Sequence, residues 1–477
     1  MKSCKRRDPD GLSEVGLPHS SEEVGESQWS KGGSKESFPE EEASRHRRSA
    51  RMEQELKGIR EQSAKYPAVQ NLMHNVNERT LMAEHRKQSR KKATGVDGVD
   101  KAAYDEKAQD NIAELVERMR KFQYKPLPVR RTYIPKANGK LRPLGIPAYE
   151  DRLVQGVMAE VLNEVYEPRF LECSYGFRPG KSAHDVVRYI NQMIMRKKVN
   201  YVLEADIQGF FDHVDHDWLM KFLAHDIQDK SFLRYVKRFL IAGIMEDGKR
   251  LDSERGTPQG GQISPVLANV YLHYVLDWWI EKAVKPRMQG EVYYVRYADD
   301  FLILFQYENE ARKVMEVLPK RLGKFSLEVA EDKTRILPIG RFRGTKEDFD
   351  FLGFTFFNTK TRTGKYRLGI RTSKKKLKAK RQAAKAWLKE RMHKPIAETM
   401  QILASIVRGH CNYYGVSGNF HAVQSFWKYL KYSTYCVLNR RHQKRSLKYG
   451  KYLRIWNYYI KEPHLTTDIW GWQPKIA

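Results

Sequence analysis

Four cysteines in 477 residues, Cys4, Cys173, Cys411 and Cys436, are too few and too scattered for a disulfide framework. None forms the CxxC pair of a thiolate zinc site, so the thiols are expected to be reduced and structural. Long apolar runs are equally scarce. Stretches such as Phe301 to Phe305 fall far short of the ~20 residues that cross a bilayer, and the opening MKSCKRRDPDG lacks the apolar segment of a secretory signal. A soluble, intracellular protein is expected. Acidic side chains nearly vanish toward the C-terminus, where residues 371–477 hold only Glu390, Glu398, Glu462 and Asp468 against 23 Lys and Arg. Chemistry that needs clustered carboxylates is therefore excluded from that segment.

What the chain does have is positive charge: 87 Lys and Arg against 58 Asp and Glu, a net +29. Such an excess points to a polyanionic partner, with solubility alone as the blander alternative. At 41% hydrophobic and 12% aromatic residues, there is material for two or three packed domains, which excludes wholesale disorder. The charge is uneven. Residues 1–50 hold 9 cations and 10 acids in a Ser-, Glu- and Gly-rich stretch without apolar periodicity, expected to be a disordered leader. Residues 51–370 carry +11 and residues 371–477 carry +19, so about two thirds of the excess is C-terminal. This distribution predicts a catalytic body followed by a basic binding module.

The local pattern agrees with that division. Helices are expected from about Glu53 to Tyr124, interrupted at TGVDGVD, and then a strand pair around Asn138-Gly139 in RRTYIPKANGKLRPLGIP. Helices resume over Asp151 to Tyr166 and Ser182 to Lys197, followed by the strand YVLEAD and helices to about Ile241. The GTPQGGQISP loop then precedes an apolar helix from Val266 to Ile280. YYVRYADDFLILF reads as strand, tight turn, strand, and DFDFLGFTFF as one further strand. After Arg371 the chain is expected to be helical to about Tyr459, broken at Pro395 and at Gly415 to Gly418.

Asp299 and Asp300 lie between two apolar strands, and Asp206 ends a third. Phosphoryl transfer through two Mg²⁺ ions needs hard oxygen ligands bridging metals about 3.5–4 Å apart, which carboxylates on adjacent strand ends can supply. An isolated Asp-Asp is usually a solvated hairpin turn. Flanks this apolar, in a chain this basic, favour the metal.

At this point the sequence resembles a known family. ADIQGFFD, GTPQGGQISPVLANVYL, RYADD, LEVAEDKTRI and FLGFTF occur in the order and approximate spacing of the palm motifs of reverse transcriptases. IPKANGKLRPLGIP and SYGFRPGKSAHD are similar to the fingers motifs of the group II intron-encoded branch, and the likeness covers roughly residues 60–460. It implies an α+β right-hand polymerase that copies RNA into DNA, with a fingers, palm and thumb organisation. Expected segments are a leader over 1–50, N-terminal extension and fingers over 51–198, palm over 199–370, helical thumb or maturase domain over 371–460, and a tail over 461–477.

The resemblance assigns roles residue by residue. Asp206, Asp299 and Asp300 match the metal-binding triad, with Asp300 either bridging or supporting, and the main-chain carbonyl of Ile207 is a further ligand for two Mg²⁺ ions that Mn²⁺ can replace. Lys136 and Arg142 match the pair that grips the triphosphate; a basic hairpin lying on nucleic acid is the alternative. Phe211 matches the bulky position that excludes a ribose 2′ hydroxyl, although Phe210 is equally bulky and one of the two must face inward. Gln259 and Gly260 match the loop that contacts nucleotide and template. Arg178 is placed at template or nucleotide phosphate, against an equally weighted internal salt bridge, and Lys333 is the candidate proton donor to pyrophosphate, against a solvated lysine.

The basic helices resemble the thumb or maturase domain, which holds template and primer and binds intron RNA. Lys374, Lys375, Lys376, Lys378, Arg440, Arg441, Lys444 and Arg445 are the expected phosphate contacts, while Trp387, Tyr413, Tyr414, Phe426, Trp427, Tyr429, Tyr432 and Tyr435 are mostly expected to form core. Endonuclease and ribonuclease H domains are expected to be absent. The implied partners are RNA template, DNA primer, dNTPs and group II intron RNA, for a monomer in the bacterial cytoplasm with no membrane attachment. Two other functions fit the same residues: a domesticated relative serving phage defence or CRISPR spacer acquisition, and an RNA-binding splicing factor with a vestigial polymerase site.

Overall fold

β-Branched and aromatic runs form eleven strands among the residues that the computed structural model describes, which are 56–135, 141–251, 255–257, 260–343, 346–441 and 447–471. In chain order they are β1 (Val129–Pro135), β2 (Leu141–Ile146), β3 (Tyr201–Ala205), β4 (Ile244–Glu246), β5 (Lys249–Leu251), β6 (Val292–Tyr297), β7 (Asp300–Phe305), β8 (Arg335–Pro338), β9 (Asp348–Phe351), β10 (Phe354–Lys360) and β11 (Tyr366–Thr372). They make three sheets, ordered β2-β1-β4-β5, β6-β7-β3-β8 and β11-β10-β9. The described residues belong to one compact unit, Met52–Ala477. The α+β class expected from sequence holds.

The central sheet β6-β7-β3-β8 is antiparallel throughout, yet it is buried on both faces. Alternation along each strand explains how. Leu203, Tyr294, Phe301, Ile303 and Phe305 enter one core with the helices Tyr149–Tyr166 and Ser264–Leu272. Val202, Val295, Leu302 and Leu304 enter a second core with the helix Ala183–Arg196, the β11-β10-β9 sheet and the C-terminal helices. A sheet covered on both sides requires apolar residues at consecutive positions, which accounts for the unbroken run FLILF. Its strand ends, where acids appear, are the places at which the sheet meets water.

Helix boundaries follow local chemistry. Ser182 caps the helix Ala183–Arg196 with its side chain accepting from Asp185 N, while Asp185 accepts from Ser182 N, a capping box. In the C-terminal module, Lys374–Glu390 is followed by Ile396–Tyr414, which starts just after Pro395, and by Phe420–Asn439, which starts beyond Gly418; Tyr449–Tyr459 is the last helix. Three sequence expectations need correction. DFDFLGFTFF is a hairpin, β9 and β10, because Leu352 and Gly353 take φ of +49° and +77° and reverse the chain. The β4–β5 hairpin and β11 were not anticipated. The helix expected over Val266 to Ile280 is α-helical only over Ser264–Leu272 and then widens into π-helical turns, His273–Asp277 and Ile280–Val284.

The proposed leader, Lys136 with the Asn138-Gly139 turn, Gln259, Lys444 and Arg445 lie outside the described residues. Among the described residues, no helix is long and apolar enough to cross a membrane.

Candidate active site

The register of the central sheet assembles the acids. Ala205 pairs with Phe301 at the end of the β3–β7 ladder, so extending it by one residue sets Asp206 opposite Asp300, where antiparallel partners share a face. Tyr297 pairs with Asp300, leaving Ala298 and Asp299 as a two-residue turn between β6 and β7. Ala298 adopts φ +56°, a left-handed conformation that non-glycine residues rarely take and that the surroundings must therefore enforce.

Charge crowding marks the cluster. The Asp299 carboxyl is raised above its usual range by burial and by the charge of Asp206, with Arg142 and Lys333 pulling the other way. Asp300 reaches solvent, yet desolvation by the atoms packed around its carboxyl, together with the charges of Asp299 and Asp206, pushes it up to about 7. Lys333, on the short turn Glu331–Lys333, places its ammonium on the Asp206 carboxylate, and that bond raises the lysine's own pKa. Ile207 forms an isolated antiparallel bridge with Val329 through the flanking groups, Gln208 N to Glu328 O (2.9 Å) and Ala330 N to Asp206 O (2.9 Å), so the Ile207 carbonyl is not used by that bridge.

The donor set suits a hard divalent cation: carboxylate and carbonyl oxygens whose mutual repulsion is relieved by positive charge, with an ammonium already drawn onto one of them. Among the described residues, no three His, Cys, Asp or Glu side chains converge to enclose a metal by themselves. Asp206 is turned to Lys333 instead.

A cavity of about 330 Å³ is lined by strand β2 at Leu144 and Gly145, by Arg131 and Arg255, and by Phe211, Asp212 and Thr257; Asp206, Asp299 and Asp300 are not among its walls. Phe210 is 2% exposed and packs in the core, while Phe211 is half-buried at the cavity wall, so of the two it is Phe210 that faces inward. Thr257 N donates to Phe211 O (2.8 Å), fastening the glycine-rich loop to that segment. Gly260, at φ +114°, lies where an added Cβ would sit 2.5 Å from Gly145 O, so only glycine allows the loop to approach β2 this closely. Arg142, on β2, is exposed.

Of the two readings of Arg178, the structure shows the internal salt bridge. The residue is 6% exposed, and its guanidinium donates to Glu167 (3.1 and 2.9 Å) and to the carbonyls of Leu171 (2.8 Å) and Ser174 (2.7 Å), which leaves it no fork for a nucleotide. Lys374, Lys375, Lys376, Lys378 and Arg440 are exposed, whereas Arg441 is half-buried and donates to Lys394 O (2.6 Å). Tyr414, Phe426 and Trp427 are core as expected, while Tyr432 is 66% exposed. Sequence reasoning passed over Arg296 and Asp277, both fully buried beside the Ala298–Asp299 turn. The available signal was an arginine inside the apolar strand VYYVRY and an acid inside an apolar helix.

The reverse transcriptase (RNA-dependent DNA polymerase) family model matches residues 134–356. Protein YkfC of Escherichia coli (strain K12) is 34% identical over 310 residues, which cover 57% of this chain and 78% of that protein. The group II intron-encoded protein LtrA of Lactococcus lactis subsp. cremoris is 27% identical over 418 residues, 70% of this chain and 68% of LtrA. Nuclear intron maturase 2 of Arabidopsis thaliana, a mitochondrial protein, is 27% identical over 179 residues, 29% of this chain and 24% of the maturase.

Proposed function

The chain belongs to the reverse transcriptase family, the RNA-directed DNA polymerases, in its group II intron-encoded branch, and from that premise we propose that it extends a DNA primer on an RNA template with dNTPs and also binds intron RNA as a maturase. The observation that carries the polymerase reading is the strand register, which brings Asp206, Asp299 and Asp300 to the same end of the central sheet, close enough for their charges to act on one another.

Asp206, Asp299, Asp300 and the Ile207 carbonyl would hold Mg²⁺, or Mn²⁺ in its place. When bound, these ions activate the primer 3′ hydroxyl and neutralise the triphosphate. Arg142 approaches from β2, on the side where the β and γ phosphates would lie, and a planar fork suits that task; Lys136 is assigned the same phosphates. Phe211 closes the wall that a ribose 2′ hydroxyl would have to enter, and Gln259 and Gly260 flank the base pair being formed. Lys333, held at Asp206, is within the acidic cluster and carries the proton that departing pyrophosphate needs.

The exposed lysines of the Lys374–Glu390 helix support a role in gripping an A-form duplex or a structured intron RNA, which proteins recognise largely through backbone and shape. The protein would act as a monomer in the bacterial cytoplasm. Primer extension on an RNA template with dNTPs and Mg²⁺ tests the proposal. Extension should be robust in the native protein and lost in Asp299→Ala; activity that persists in the variant would sink the assignment.

A further inference from the structure

We propose that Arg296 is a positioning residue for nucleotidyl transfer, clamping the turn that carries Asp299 and Asp300 to two other segments through a buried pair with Asp277. The inference rests on the polymerase reading above, since it takes those acids to be the working groups.

A guanidinium has five N–H donors, and Arg296 uses all five inside the protein. Nε donates to Asp277 Oδ1 (2.7 Å), and one Nη2 hydrogen to Asp277 Oδ2 (2.6 Å). The other Nη2 hydrogen goes to Ser174 Oγ (2.8 Å). Nη1 donates to Asn269 Oδ1 (2.9 Å) and to Ala298 O (2.9 Å). One side chain therefore joins the catalytic turn at Ala298, the SYGF segment at Ser174, the helix Ser264–Leu272 at Asn269 and the π-helical turn His273–Asp277.

The same segments are also linked without Arg296's side chain. Tyr175 N donates to Arg296 O (2.9 Å), Arg296 N donates to Cys173 O (2.8 Å), and Asn269 Nδ2 donates to Gly176 O (2.7 Å). Gly176 presses so closely on the turn that an added Cβ would lie 2.2 Å from Ala298 N. The turn is thus pinned on one side by backbone contact and on the other by a guanidinium, which explains how Ala298 is kept at φ +56°.

Arg296 and Asp277 are both fully buried. Burying two charges is a poor way to gain stability, because apolar residues of similar volume often do as well or better. What the pair adds is geometry: a planar fork that accepts one arrangement of five acceptors. A widened π turn at the residues that supply Asp277 fits this, since such turns recur at functional sites. A displacement of about 1 Å at reacting groups lowers rates roughly 10²-fold.

The experiment compares Arg296 with a second, partly buried arginine that is also paired with an aspartate. Arg169 likewise donates to Asp226 (2.8 Å), Ser63 Oγ (2.7 Å) and the carbonyls of Pro67 and Tyr66, but none of these acceptors belongs to the catalytic turn. Arg296→Lys keeps the charge and loses the fork. Its kcat should fall about 10²-fold with dNTP KM and RNA Kd within about twofold, and Mn²⁺ affinity, measured by electron paramagnetic resonance on the protein alone, should weaken several-fold. Arg169→Lys should lower Tm while leaving the kcat of the folded fraction and the Mn²⁺ affinity unchanged. Ser174→Ala removes one hydroxyl, preserves the ion pair and should reduce kcat a few-fold; it decides the matter if Arg296→Lys does not fold. Native-like kcat and Mn²⁺ affinity in the folded Arg296 variant, or in Ser174→Ala if that alone folds, would overturn the clamp, as would losses that merely match those of Arg169→Lys. If the native protein fails to extend a primer, the polymerase reading falls, and the Mn²⁺ measurement still tests whether Arg296 orders the acids.

Discussion

The central sheet and the C-terminal helices share one hydrophobic core but treat charge in opposite ways. Around the sheet, cations sit on acids: Arg296 on Asp277, Lys333 on Asp206, Arg335 on Glu204. In residues 371–477, four acids cannot neutralise 23 cations, so most of that charge must face solvent or a ligand. Pairing serves geometry in the first region, and surplus serves affinity in the second. On the proposed function, acids in the sheet are organised by cations, and acids on the helices would repel the polyanion that the surplus charge attracts. If that division is correct, substitutions in the two regions should affect different quantities.

The largest effect is expected at the sheet. Asp299→Ala should lower kcat on the order of 10³-fold or more, because a ligand to the ions that stabilise the transferring phosphoryl group is lost, while the RNA Kd stays within about twofold. Filter binding together with single-turnover extension checks both numbers. A large loss of RNA affinity in this variant would break the comparison, since the acid would then be organising the binding surface as well. Phe211→Ala comes next. Opening the cavity wall should reduce discrimination against rNTPs by roughly 10- to 100-fold, the range that a shape filter in a pocket supplies, measured as the ratio of kcat/KM for dGTP and GTP.

The helices should respond differently. Replacing Lys374, Lys375, Lys376 and Lys378 together with Gln should weaken RNA binding about tenfold at ~0.15 M salt and flatten the salt dependence by about one log–log unit for each lysine that touches phosphate. The kcat of the saturated complex should not move. Arg441→Gln sharpens the contrast: its guanidinium already serves Lys394 O, so it should affect Tm more than RNA affinity. If all five positions behaved alike, charge surplus and not exposure would be the controlling variable.

Which parts were legible in the sequence follows the same physics. Acids that interrupt apolar strands are conspicuous, and Asp206, Asp299 and Asp300 were singled out on that ground and on their match to the family's motifs. Pro395 and Gly415 to Gly418 punctuate helices through backbone constraints that act locally, and the helices end and begin there. The two readings of Arg178 could not be ranked because its partners, Glu167 and two loop carbonyls, are brought to it by a loop whose path no short-range pattern encodes. Phe210 and Phe211 could not be ranked, since hydrophobicity is equal and only the packed core decides which turns inward. The π turns were invisible for a related reason: periodicity reports a helix and does not distinguish an α turn from the wider turn seen at His273–Asp277.

The smallest expected effect concerns the sheet without metal. Asp300 has its carboxyl pushed up to about 7 from 3.8, first by burial and then by the charges of Asp299 and Asp206. A carboxyl raised by folding opposes the fold only when ionised, so its contribution is most favourable below 3.8 and is lost as pH rises to about 7, after which it is flat. Asp300→Asn removes that burden. In EDTA its Tm should equal that of the native protein near pH 4, rise above it progressively to pH 7, and stay about 1–2 °C higher beyond, a modest shift because Asp300 is solvent-reachable and screened. Thermal melts from pH 4 to 8.5 measure this directly. The same substitution on the basic helices, Glu398→Gln, should give the opposite sign, because Glu398 accepts from Arg391 (2.9 Å) and there the acid steadies its surroundings. Equal signs at the two sites would mean that the two regions handle charge in the same way after all.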